Sequence, residues 1–316
     1  MPNVMNYESL ARTLRAEDLW PQSNKWGQHD YTMAGAQGGE SFNAIIEKGF
    51  GAPTSAKEFT ELAQWVNYDG YRAMFESRSL NRKGLLLWMT HPAWPSMVWQ
   101  TYDYYFEPTA AYFGCKKGNE PLHVQWNSAT NDVEVVNYSA GNHPSLTVRA
   151  QLINIDGSVA WEKSAEVASS EDTTLRPFAL EFPASLSAAH FVKLWLMDGE
   201  DIVSDNFYVR GTEEGNYQAL RQMPHVKLEQ SIECERSADG TWRGTLTLTN
   251  ATATPALMVR VNVVGKEDGD HILPIFYSDN YFSLLPAEKK QITFHFKDED
   301  TRGCQPKVVV TGYNVE

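Results

Sequence analysis

The stretch Gly84 to Tyr105, GLLLWMTHPAWPSMVWQTYDYY, lies where two sequence textures meet. Just upstream, Ser55-Ala-Lys-Glu58 has the form of a capping box, in which a Ser hydroxyl and a Glu carboxylate satisfy free amides at a helix start. The apolar series Phe59, Leu62, Ala63, Val66 follows at helical spacing and predicts a helix over about 56 to 77. Ser79 to Gly84 then reads as a short polar turn, and LLLWM (85–89) as an apolar run of strand length, fully buried. Helix, turn and buried strand make one step of a parallel α/β architecture. The proline-punctuated THPAWPS is a loop, after which a second helix is expected to start near Met97.

Downstream of about Leu122 the period changes to two. Val148, Ala150 and Leu152 alternate with Thr147, Arg149 and Gln151, and a turn at Asp156-Gly157 follows. Gly211 to Asn216 is a polar linker, and alternation resumes with Val259, Val261, Val263 and with Ile292, Phe294, Phe296. About seven strands on each side of the linker suggest two immunoglobulin-like sandwiches.

A chain of 316 residues with 42% hydrophobic and 21% charged residues is ordinary for a globular protein of two or three domains. Its 40 acidic against 27 basic side chains argue against nucleic-acid and anionic-membrane partners, which require clustered Lys and Arg. No run approaches the roughly 18 apolar residues of a membrane span. Cys115, Cys234 and Cys304 are too scattered for a zinc site or a disulfide framework; a Cys234–Cys304 bridge is the one pairing to consider.

Short motifs add little chemistry. No G-x-S-x-G elbow, P-loop, H-E-x-x-H or dinucleotide fingerprint is present, and Gly35 to Gly39 lacks the strand that a phosphate loop needs before it. Asp298-Glu-Asp-Thr-Arg-Gly303 starts like a calcium loop, but Arg302 occupies a ligand position and Val309 replaces the closing Glu. Neither a metal nor another cofactor is predicted. Asn137-Tyr-Ser139 and Asn250-Ala-Thr252 are sequons, relevant only on a eukaryotic secretory path. The stretch from Leu19 to Glu40 collects Trp20, Trp26, His29, Asp30 and Glu40 without an apolar period, which suits a binding loop and equally an ordinary loop.

Three segments carry a family resemblance. GLLLWMTHPAWPSMVWQTYDYYFEPTAAYFGCKKGNEPLHVQWN resembles the junction between the last barrel strand and the first C-terminal sandwich of glycoside hydrolase family 2, in its exo-β-D-glucosaminidase and β-mannosidase branch. AQWVNYDGYRAMFESRS resembles the preceding barrel helix, and HILPIFYSDNYFSLLPAEKKQITFHF the last immunoglobulin-like domain. The resemblance implies the C-terminal part of a (β/α)8 barrel over 1–120, followed by immunoglobulin-like sandwiches over 121–211 and 217–316.

For function, the resemblance implies an exo-acting retaining glycosidase whose partner is a carbohydrate substrate. Such an enzyme needs two carboxyl groups about 5 Å apart, one to attack the anomeric carbon and one to protonate the leaving oxygen. In the family the nucleophile is a Glu in a Ser-Glu-x-Gly-like context shortly before a proline. MPNVMNYESL aligns just past it, with Pro2 as that proline and Glu8 downstream on a helix start. Both catalytic carboxylates are therefore expected outside this sequence, and no catalytic residue is assigned. Trp88 would be an apolar platform for a sugar ring at a barrel strand end, followed by a non-proline cis peptide. His91, where relatives often carry Asn, and Trp94 would line the next loop, with Trp26 and His29 as further binding residues and Trp99 as core. The other possibility is a non-catalytic sandwich pair that binds polysaccharide through exposed aromatics such as Trp161 or Trp242.

Overall fold

The computed structural model describes residues 2–31, 39–77 and 84–316. Its first part is a helical layer: α1 (Tyr7–Thr13), α2 (Ala16–Leu19), α3 (Lys25–Gln28), α4 (Gly39–Phe50), α5 (Ala56–Glu76) and α6 (Ala110–Gly118). The cap of α5 forms on one side as predicted, the Ser55 side chain accepting from the Glu58 amide at 3.2 Å. The Glu58 carboxylate reaches one residue further back, where it accepts from the Thr54 amide and hydroxyl, each at 2.7 Å. Against α5 lies α6, and Gly114 sets their approach: a Cβ there would stand 2.3 Å from the Tyr68 carbonyl oxygen.

Fourteen strands follow. β1 (Leu122–Trp126), β2 (Asp132–Asn137) and β5 (Thr173–Ala179) form one antiparallel sheet. β4 (Val159–Ser169), β3 (His143–Asn154), β6 (Ala189–Asp198) and β7 (Asp201–Gly211) form the second, in that order. Val124, Val133 and Val135 from one sheet share a core with Val148, Ala150, Leu152 and Leu194 from the other, so the two sheets pack face to face. After the linker, β12 (Phe282–Leu284), β10 (Ala256–Gly265) and β14 (Pro306–Thr311) make a three-stranded sheet. It faces a sheet of β11 (Phe276–Tyr277), β13 (Lys289–Lys297), β9 (Thr241–Thr249) and β8 (Glu229–Arg236). Ile292, Phe294 and Phe296 point inward while Thr293 and His295 are exposed, as a period of two requires.

Several expectations are corrected. Residues 84–90 are irregular, with bends at Trp88 and Thr90, and among the described residues before Leu122 there is no paired strand, only an isolated bridge between Tyr102 and Pro108. A barrel portion is thus not visible as such: a strand needs a neighbour for its amides and carbonyls, and the described residues supply none. Instead of full burial, exposure alternates, with Leu85 and Leu87 half-buried and Leu86 and Trp88 exposed. No helix starts near Met97. The amides of Thr101 and Tyr102 donate to the Thr90 carbonyl at 3.1 and 2.8 Å, so they are not free for the carbonyls one helical turn back.

The cis peptides among the described residues both precede proline, Trp20–Pro21 and Leu273–Pro274, and the bond after Trp88 is trans. An exposed, unpaired segment has nothing around it to hold a strained bond in place. All three cysteines are free. Both sequon asparagines are buried and donate to backbone carbonyls, Asn137 to Gly141 at 2.8 Å and Asn250 to Thr254 at 2.9 Å, which leaves no access for a glycan. The Gly35-to-Gly39 stretch falls largely outside the described residues.

Candidate functional site

The five predicted site residues separate into one pair, His29 with Trp94, a His91 stacked on Phe106, the buried Trp26 and the exposed Trp88. Leu85 and Leu87 pack on Tyr71, Phe75, Ala111 and Cys115 of α5 and α6, which fixes one side of the 84–90 segment. The other side carries Leu86 at 96% and Trp88 at 85% exposure. His29 Nδ1 lies 2.6 Å from the Pro95 carbonyl, and the Met97 amide donates to the His29 carbonyl at 2.8 Å, so the two loops are laced together. This places the His29 and Trp94 rings 5.6 Å apart, with Trp94 45% exposed. His91 is stacked on Phe106, centroids 4.4 Å apart and planes at 16°.

Trp26 does not face solvent. Its ring is 1% exposed and packs edge-on to Tyr31 and Phe59, while its Nε1 donates to the Asp18 carbonyl at 3.0 Å. The polar atom is satisfied and the apolar ring is enclosed, which is the core arrangement for an indole. Trp99, expected in the core, is half-buried and lies on irregular chain; Tyr71 Oη donates to its carbonyl at 2.7 Å. Asp30 is half-buried with φ +63°, and Glu40 is exposed on the first turn of α4. Trp161 and Trp242 are half-buried and pack against sandwich cores, and Trp242 Nε1 donates to Asp298 at 2.8 Å.

Sequence reading missed a turn that the fold holds rigidly. Asp103 Oδ1 accepts from the amides of Tyr105 at 2.9 Å and Glu107 at 3.0 Å, and the Asp103 amide donates to the Glu107 carbonyl at 3.0 Å. Glu107 accepts from Asn6 at 3.0 Å, Ser9 at 3.3 Å and Arg260, and lies 3.4 Å from His271 Nδ1. Burial and then repulsion by Glu107 push Asp103 up to about 7. Burial alone would raise Glu107 too, but Arg260 and His271 outweigh it and hold Glu107 near about 2.

Two carboxyl groups driven apart in this way are the usual signature of an acid and a base. Here both are at most 4% exposed, and Glu107 is surrounded by donors from α1 and the second sandwich. No substrate atom could reach them. The pair is an anchor, recoverable from sequence only if one had known that Arg260, at an alternation position that normally faces solvent, meets Glu107.

Comparison with known proteins agrees with this architecture. A family model described as the exo-β-D-glucosaminidase Ig-fold domain matches residues 206–315. An exo-β-D-glucosaminidase of Streptomyces avermitilis is 29% identical, over 99% of this chain and 38% of that protein. A mannosylglycoprotein endo-β-mannosidase of Lilium longiflorum is 28% identical, over 92% of this chain and 37% of that protein. The crystal structure of the Amycolatopsis orientalis exo-chitosanase superposes with a TM-score of 0.89 at 25% identity, over 99% of this chain and 41% of that one. The chain therefore spans about two fifths of the length of the relatives it matches. Along its whole length it is similar to the C-terminal portion of glycoside hydrolase family 2 enzymes of the exo-β-D-glucosaminidase and β-mannosidase branch.

Proposed function

We propose that this chain acts as the C-terminal part of a retaining exo-β-glycosidase that removes terminal β-glucosaminide or β-mannoside residues, with 1–120 as a barrel segment and 121–211 and 217–316 as sandwiches. The observation that carries this reading is the 84–90 segment. One side of it is packed on α5 and α6, and the other presents Leu86 and Trp88 bare. An apolar face and unpaired backbone of this kind fit a barrel strand whose neighbours come from elsewhere.

The chemistry follows from what these residues can and cannot supply. Among the described residues we identify no accessible carboxylate pair suited to attack and protonation, and on this reading both groups come from the other barrel strands. Trp88 supplies a flat apolar surface, which gains free energy when a pyranose C–H face displaces water from it. His29, Trp94 and His91 contribute ring edges and imidazole hydrogen-bonding groups on neighbouring loops.

The coding sequence upstream of Met1 tests the assignment. A continuous open frame encoding a strand that ends in Ser-Glu just before MPNV is the expected result. A ribosome-binding site preceded by stop codons in that frame would sink the proposal.

A further inference from the structure

Phe106 combines a left-handed backbone with an exposed aromatic ring. Its φ of +69° is a left-handed conformation that costs a bulky side chain steric strain, yet its ring is 55% exposed and fills no core. The turn that imposes this conformation is held by the buried Asp103 and Glu107, and through Glu107 by Asn6, Ser9, Arg260 and His271. The fold thus spends buried charge to keep Phe106 outside, lying flat on His91.

The stacked pair lies at an open cleft of about 510 Å³ between the 91–106 loop and the second sandwich. Its far wall is His271, Leu273 and Arg302, and Arg12 and Tyr104 complete it. That wall is fixed: Arg302 Nη2 donates to the His271 carbonyl at 3.1 Å, and Arg12 pairs with Asp270 at 2.8 Å. Tyr104 is 39% exposed and leaves a phenol at the rim. A flat apolar ring pair edged by guanidinium, imidazole and phenol groups matches a pyranose, which has an apolar C–H face and a periphery of hydroxyls.

We infer that this cleft is a binding site for a β-linked oligosaccharide, with Phe106 on His91 as the stacking surface and Arg302, Arg12 and Tyr104 as the polar edge. The ligand class rests on the glycosidase reading; the site itself rests on the strained, exposed aromatic and the built cleft. Trp88 does not line it, whereas His91 belongs both to the cleft and to the loop after Trp88, so the cleft extends the sugar-facing loop rather than standing apart from it.

Calorimetric titration of the 316-residue chain with β-1,4-linked glucosamine tetrasaccharide and, separately, β-1,4-linked mannotetraose tests the site. Binding of at least one is expected, and the two arms distinguish an amino sugar from a neutral one. Phe106→Gly should weaken that binding about ten-fold, since the stacking ring is lost. Its thermal midpoint should hold or rise, because glycine adopts positive φ freely. Should the midpoint fall instead, His91→Ala decides the matter, with weakened binding expected. Binding of neither tetrasaccharide overturns the site, as does a folded Phe106→Gly or His91→Ala with unchanged affinity. Such a failure would leave the upstream frame, and with it the glycosidase reading, intact.

Discussion

Two faces of the helical layer are built on opposite principles. Where α5 and α6 meet the sandwiches, charges are buried and paired. Arg72, 3% exposed, donates to Asp69 at 2.7 Å, to Asn206 Oδ1 at 2.8 Å and to the Phe207 carbonyl at 2.6 Å, with Tyr208 under its guanidinium. Glu76 meets His123 at 3.2 Å and Tyr208 at 3.0 Å, and Lys117 bridges Glu120 and Asp205. On the other face, the 84–90 segment leaves Leu86 and Trp88 almost wholly exposed. Polar groups lie inside and apolar groups outside, the reverse of the usual distribution. The first face has its partners within this chain. The second is shaped for a partner that, on the glycosidase reading, is the rest of a barrel.

If this contrast is sound, the largest effect should come from the buried face. Arg72→Met leaves the buried Glu76 without its guanidinium and is expected to cost about 3–5 kcal/mol in denaturant unfolding. Gly114→Ala pushes a Cβ against the Tyr68 backbone, where no side chain can move aside, and should cost about 1–3 kcal/mol.

The pH dependence sharpens the same face. Burial alone lowers the pKa of His123, but the carboxylates of Glu120 and Glu76 overcome it and raise it. A folded pKa above the unfolded one gives stability that is fully present below about 6.5 and is lost as pH rises through the folded value. His123→Gln should therefore flatten the decline of stability on the alkaline side in a pH series of unfolding curves. Trp88→Ala should do least, changing stability by no more than about 0.5 kcal/mol, because an 85% exposed side chain has little to lose.

The strands were legible because each sandwich buries one face of alternating sequence: Val259, Val261 and Val263 are at most 1% exposed, as their period implies. The cap at Ser55 was legible because it is a local hydrogen bond. What stayed hidden were positions whose environment is set by distant chain. His123, Asn206 and Arg260 take polar positions that alternation assigns to water, and the helical layer meets them; Lys193 is buried instead beside Asp205 and Glu288 of the two sandwiches. Trp26 looked like part of a loop because its partners Tyr31 and Phe59 follow no common period with it. The 84–90 segment, expected to be a strand, is unpaired irregular chain among the described residues, because pairing belongs to neighbours and no pattern within a segment can supply them.

The most direct test compares hydrolysis of an aryl β-D-glucosaminide and an aryl β-mannoside by two proteins: this chain alone, and the same chain produced with the coding sequence upstream of it. The account predicts no turnover by the isolated chain above a denatured control, and turnover of one substrate by the longer protein that Trp88→Ala abolishes. Hydrolysis by the isolated chain, or full activity of the longer protein carrying Trp88→Ala, would contradict it.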